Sequence, residues 1–424
     1  MVLCLTKNVT IAPGVTLRVL NTDKFKTGCF SINFLRPHTR QDAPLDALLP
    51  SVLLRATENY PDIRSISMHL DELYGASFGT AVRKKGEVKL VGFYTDFIED
   101  RFLPEGERVF RSIVEFIEEV IFHPYTENGC FCRNFVEGEK QNLLNAIDAS
   151  LNDKRSYAIS RTLGAMCPDE AYGVPRLGFR EDAEKITAEA LWEHYQDVLR
   201  TSRIEIFYAG SQPAEVAAEA LKSVFGREER PLVPVGTERV DVAGQVKEIS
   251  EAMDVTQGKL VLGFRTGITC EDRDFPALVL LNAVYGAGVT SKLFVNVREK
   301  MSLCYYASSS INKYKGVMLV SSGVAFENYE VARKAILHEL EECRKGNITE
   351  DELESARRQV LSALKMALDD PARLDDFYVG MAIADSEDIP QLAAHIAELT
   401  AKDLSAAAGK LTLDTVYFLK GEEQ

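Results

Sequence analysis

Apolar and polar positions alternate over residues 14–35 in two runs separated by NTDKFKTG, the pattern of two strands joined as a hairpin. The spacing then lengthens. Leu45, Leu48, Leu49, Val52 and Leu53 recur at helical intervals and predict a helix with one buried face within residues 42–58. A short helix over residues 65–74 follows, closing at Gly75, where a left-handed cap costs little. SFGTAVRK and VKLVGFY read as strands paired across KKGE. An amphipathic helix is expected over residues 105–122, ending at His123-Pro124, and another from Thr126 to about Leu151. Residues 164–184 read as loop. TAEALWEHYQDVL then predicts a helix that feeds the strand IEIFYAG, and residues 213–225 predict a last helix.

Residues 226–246 hold two prolines and three glycines without an apolar period, which marks a linker. Beyond it the plan repeats. TENGCFCRNFVEGEKQNLLNAI is echoed by TEDELESARRQVLSALKMAL, TAEALWEHY before IEIFYAG by TAKDLSAAA before DTVYFLKG, and LYGA by VYGAG. Three echoes in the same order, offset by roughly 210 to 220 residues, are what a duplicated domain leaves behind. Strands arriving in hairpins and helices in pairs predict an α+β fold rather than an alternating parallel one. The expectation is two homologous domains, 1–226 and 247–424, each an antiparallel sheet covered by helices, joined by a linker over 227–246.

Residues 291–311, SKLFVNVREKMSLCYYASSSI, are the most informative stretch. Leu293, Phe294, Val297 and Met301 lay one apolar stripe along a short helix and leave Lys292, Arg298 and Glu299 off it. The helix should stop near Ser302, and Leu303 onward reads as a strand. Arg298 and Tyr305 flank this tight corner. A guanidinium and a phenol held on rigid elements can bond the carbonyl oxygens of an extended peptide; the plainer reading is a cation in a helix's last turn beside a packed ring.

Composition narrows the function. With 424 residues, 46% hydrophobic and 27% charged, the chain has the profile of a soluble globular protein. A net charge of −15 without a Lys/Arg cluster argues against nucleic acid and against anionic membrane surfaces. MVLCLTKNVT lacks the pattern of an export signal, and the longest nearly apolar run, residues 275–289, is too short to span a bilayer, so a cytoplasmic location is expected. The cysteines at 4, 29, 130, 132, 167, 270, 304 and 343 are scattered, with one Cys-Phe-Cys pair and no second pair to complete a zinc site.

The histidines, at 38, 69, 123, 194, 338 and 395, never fall within five residues of one another, so no single helix offers two imidazoles to one metal. His69 and Glu72 sit one turn apart without a second histidine, the pattern of an ordinary polar helix face. GAG at 286–288 matches neither a phosphate loop nor a dinucleotide turn.

SKLFVNVREKMSLCYYASSS resembles the C-terminal-domain signature of the insulinase/pitrilysin-type zinc metallopeptidases, in which Ser-Arg-Leu-Phe leads to Arg-Glu-Lys-x-Gly-Leu-x-Tyr. GVTLRVLNTD and LLRATENYPDIRSISMHLDELYGASFGT are similar to that family's first strands and to its Gly-Thr segment, so the likeness spans essentially the whole chain. In the family, an inverted His-x-x-Glu-His motif and a distal Glu hold zinc. The matching positions here are Ala47, Pro50 and Ser51, with the distal position near Asn145-Ala146. The resemblance therefore implies no metal, no cofactor and no catalytic residue. Without the Glu, no general base takes the proton of an attacking water. It also implies that Arg298 and Tyr305 bind the peptide substrate, as the corresponding pair does in the family. Two-component members pair a zinc-bearing subunit with one that has lost the metal, and this chain resembles the latter. It is expected to be inactive alone, to pair with a zinc-binding homologous subunit around a peptide chamber, and to form a homodimer in that partner's absence. The sequence leaves two alternatives open: a peptide-binding scaffold with no role in proteolysis, and a self-sufficient hydrolase using His69, Glu72 and a distant ligand.

Overall fold

The computed structural model describes residues 6–226 and 230–422; Cys4 and positions 227–229 of the expected linker lie outside the described residues. The first half runs through β1 (Lys7–Ala12), β2 (Val15–Asn21), β3 (Thr27–Pro37), α1 (Ala43–Leu53), α2 (Ile63–Glu72), β4 (Ser77–Lys85), β5 (Val88–Ile98) and α3 (Phe110–Phe122). A short ribbon of β6 (Thr126–Glu127) and β7 (Cys130–Phe131) leads to α4 (Arg133–Asn152), α5 (Lys154–Met166), α6 (Arg180–Ala183), α7 (Ala188–Thr201), β8 (Arg203–Gly210) and α8 (Ala214–Phe225). The second half brings β9 (Lys247–Met253), β10 (Gly258–Arg265), α9 (Phe275–Tyr285), a helical segment Leu293–Lys300, β11 (Cys304–Asn312), β12 (Val317–Val324) and α10 (Tyr329–Arg344). It ends with α11 (Glu350–Ala367), α12 (Pro371–Met381), α13 (Ile389–Glu398), α14 (Ala401–Lys410) and β13 (Thr412–Gly421). No helix among the described residues is long and apolar enough to cross a membrane.

The fold is α+β, with a helix-covered sheet in each half, as the pattern predicts. One sheet has the order β1-β2-β8-β3-β5-β4, the other β11-β12-β10-β13-β9. Neighbours are antiparallel except β2 with β8 and β13 with β9. Parallel neighbours need a long connection, and each of these pairs is separated by most of a half-chain. The hairpin expected over residues 14–35 does not form: β8 lies between β2 and β3. β8 is buried from Ile204 to Gly210, so it takes an interior position, and the loop after β2 steps over it. The β4–β5 hairpin does form, with Lys85 opposite Val88 and Gly86 at φ 60°.

Several helix boundaries differ from expectation: α1 ends at Leu53 and α3 starts at Phe110 rather than 105. Asn128 and Gly129 both have positive φ, which turns residues 126–131 into a ribbon and delays α4 to Arg133. α5, within and before the stretch read as loop, starts at its own cap, where Asp153 accepts from the backbone of Arg155 and Ser156.

The structure divides into two compact units, neither of them a contiguous stretch of chain. One comprises Met1–Asp148, Val174–Gly236 and Pro371–Ile383; the other Ala149–Gly173, Thr237–Asp370 and Ala384–Gln424. The segment bearing α12 thus belongs with the first sheet, and the segment bearing α5 with the second. In the first unit Phe30, Ile32 and Phe34 of β3 share a core with Ile113, Phe116 and Ile117 of α3. On the strand's other face Asp375 of α12 accepts hydrogen bonds from Ser31 and, at 2.6 Å, from Arg83. In the second unit Ala158 and Met166 cluster with Val261, Leu319 and Tyr417. There Arg265 is buried between Glu170 and Asp414, with Lys315 also on Glu170. Buried charges of this kind persist only when paired, and these are.

Candidate functional site

Leu293–Lys300 winds as a π-helix, not as the α-helix its spacing predicts. Met301 N–H bonds to Asn296 O, five residues back, at 3.0 Å. The wider turn re-indexes the faces. Leu293 and Val297 are buried as expected, but Met301 is 49% exposed and Lys292 is buried, its Nζ 2.8 Å from Glu352. Glu352 is held in turn by the capping box with Thr349 that starts α11. Ser302 ends the helix where expected, in the left-handed region at φ 52°.

β11 opens with a bulge. Cys304 pairs with Val324 and Tyr306 with Gly323, which leaves Tyr305 as the extra residue. Tyr305 is 72% exposed, and its carbonyl accepts a hydrogen bond from Arg298 Nε at 3.0 Å. The Arg298 guanidinium also stacks 4.4 Å from the Phe294 ring centroid and lies 3.3 Å from Glu299. The two residues singled out in the sequence are brought together, through the main chain of one and the side chain of the other. An arginine anchored this way has little rotamer freedom left to lose when it meets another carbonyl.

In the first unit, Ala47 and Ser51 of α1 and Asn142 and Ala146 of α4 line a cavity of about 320 Å³, together with Thr80, Val82 and Glu139. Pro50 lies buried within α1. Of the pair Asn145-Ala146, only Ala146 lines the cavity; Asn145 accepts a hydrogen bond from Gln141 at 2.9 Å. Methyl, hydroxyl and amide groups are therefore what the metal-motif positions offer. Glu139 is a lone carboxylate, 3.2 Å from Arg55 and accepting from Asn142. Zinc takes three or four imidazole, thiolate or carboxylate ligands, and this donor set does not fit it. Among the described residues no group of three His, Cys, Asp or Glu could hold a metal ion. Glu139 was not legible as a wall residue; its only signal is helical spacing to Asn142 and Ala146.

α1 is fixed from beneath by a buried pair instead: His194 of α7 lies 2.8 Å from the fully buried Asp46. His69 lies 4.0 Å from Glu72, and its ring packs against Tyr60 and Phe116 at 4.7 and 5.3 Å. Burial lowers its pKa. That is the setting of an aromatic cluster member.

Residues 185–360 match the family model described as the peptidase M16 inactive domain. Over 411 residues the chain is 34% identical to "Probable inactive metalloprotease YmfF" of Bacillus subtilis (strain 168), covering 97% of this chain and 96% of that one. The chain belongs to the peptidase M16 family, the insulinase family of the sequence resemblance. The family model it matches is that of an inactive domain, and positions 47, 50, 51 and 146 of this chain carry no imidazole, thiolate or carboxylate. Similarity extends to the "Uncharacterized zinc protease YmxG" of the same B. subtilis strain, at 25% identity over 206 residues, 47% of this chain and 49% of that one. Among solved structures, a conserved protein from Enterococcus faecalis V583 superposes with a TM-score of 0.92 at 29% identity over 99% of both chains. A protease from Helicobacter pylori shares the fold at a TM-score of 0.82 and 15% identity, over 99% of this M16 chain and 100% of that one.

Proposed function

We propose that this M16 chain is the non-catalytic subunit of a two-component zinc metallopeptidase, in which Arg298 and Tyr305 hold an extended peptide for cleavage at a zinc site on a homologous partner. The observation that carries this reading is the contrast between the two sites. The cavity between α1 and α4 keeps no ligand set, while Arg298 remains anchored beside an outward-facing Tyr305 on a bulge. B. subtilis 168 holds relatives of both kinds, one named as an inactive metalloprotease and one as a zinc protease, which supports a division of labour between two M16 chains.

Arg298→Ala is the direct test. Mixed with a zinc-bearing M16 homologue that the chain co-purifies with, the variant should lower peptide turnover about tenfold, the worth of one charge-assisted hydrogen bond, while the assembly elutes unchanged. Unchanged turnover would refute the assignment. A chain that binds extended peptides and recruits no zinc-bearing homologue would instead be the scaffold.

A further inference from the structure

In the second sheet Lys259 of β10 lies opposite Gly323 of β12, and Gly323 lies opposite Tyr306 of β11. The glycine is required: a Cβ there would stand 2.6 Å from the Tyr306 ring and 2.8 Å from the Gln257 amide oxygen. Its absence lets the ring lie across the strand toward Lys259, whose Nζ is 5.9 Å from the ring centroid. Arg155 of α5 sits over the same ring at 4.5 Å and donates to Ser308 Oγ at 2.8 Å. Two cations are thus fixed around one aromatic side chain, in a protein of net charge −15.

Lys259 and Arg155 line a cavity of about 790 Å³ whose wall also includes Lys154, Gln257 and Tyr305. Of the two carboxylates in that wall, Asp153 is engaged as the cap of α5, accepting from the Arg155 and Ser156 backbone and from Ser156 Oγ at 2.5 Å; the other is Asp254. Lys259 has the Gln257 amide oxygen as its hydrogen-bond acceptor, at 2.5 Å, and burial lowers its pKa. A cation with a neutral acceptor in a partly desolvated wall favours an anion, and a cavity this size admits a side chain or a chain end.

We infer that this cavity binds a carboxylate of the peptide, with Lys259 and Arg155 as its counter-charges. The inference rests on the peptide-positioning reading, because Tyr305 is part of the same wall.

The test uses the full chain and three labelled extended peptides of one backbone sequence: neutral and amidated, carrying one glutamate and amidated, and neutral with a free C-terminus. At least one carboxylate-bearing peptide should bind about tenfold tighter than the neutral one, and which of them does so identifies the source of the carboxylate. Lys259→Met should erase the preference while leaving the neutral peptide's affinity and the unfolding midpoint unchanged, and Lys259→Arg should restore it. Equal affinity for all three peptides, or a preference that survives Lys259→Met, overturns the carboxylate site and leaves the peptide-positioning reading standing. Binding of none of them overturns both.

Discussion

His38 shows how a single buried ring couples this fold to pH. It is 1% exposed, its Nε2 is 3.0 Å from Val174 O, and among the described residues Nδ1 has no hydrogen-bond partner. The carbonyl requires Nε2 to carry the proton, which leaves Nδ1 as the site that acid would protonate. Burial, with the Lys84 and Lys89 ammonium groups nearby, pushes its pKa down to about 3. In the unfolded chain the ring protonates near its ordinary value of about 6.5. Between those two values the unfolded state binds more protons, so stability falls as pH drops through that window. The expected slope from this residue is about 1 kcal/mol per pH unit between pH 6 and 4. Denaturant midpoints of the parent and His38→Asn, compared across that range, should differ in slope by about this amount; parallel profiles would contradict it. At this scale the sequence was legible where a contact lies within one short segment, as for Arg298 and the Tyr305 carbonyl. It was not legible for Glu139, Arg155 or Lys259, whose surroundings are assembled from distant strands and helices.

The corner between the π-helix and β11 is where element-level prediction met its limit. The sequence showed a helix, a stop at Ser302 and a strand. It did not show that the helix is wound with five-residue bonds or that the strand opens on a bulge, because each shifts the register without changing composition. The resembling family has glycine where this chain has Ser302, and the φ of 52° explains the family's choice. Ser302→Gly should leave the unfolding midpoint unchanged or raise it. Ser302→Val, with a branched Cβ in the left-handed region, should cost about 1–2 kcal/mol. Equal midpoints for the two variants would mean that the corner relaxes out of this conformation.

At the scale of the whole molecule, the duplication was legible because α4 and α11 keep similar lengths, and α7 and α14 each start after a threonine cap and deliver the chain to a buried strand. The exchange of α5 and α12 between sheets was not. An amphipathic period states that a helix has a buried face, and says nothing about which sheet covers it. The donor chemistry at positions 47, 50 and 51 was legible for the opposite reason, since it depends on a few named residues and not on packing. In the proposed division of labour this chain contributes peptide positioning and its partner contributes zinc. The most direct measurement is the rate of peptide cleavage by a zinc-bearing M16 homologue held at fixed concentration while this chain is titrated in. The rate should climb and level off at one chain per homologue, with this chain silent by itself. A rate indifferent to the titration, or cleavage by this chain in isolation, would contradict it.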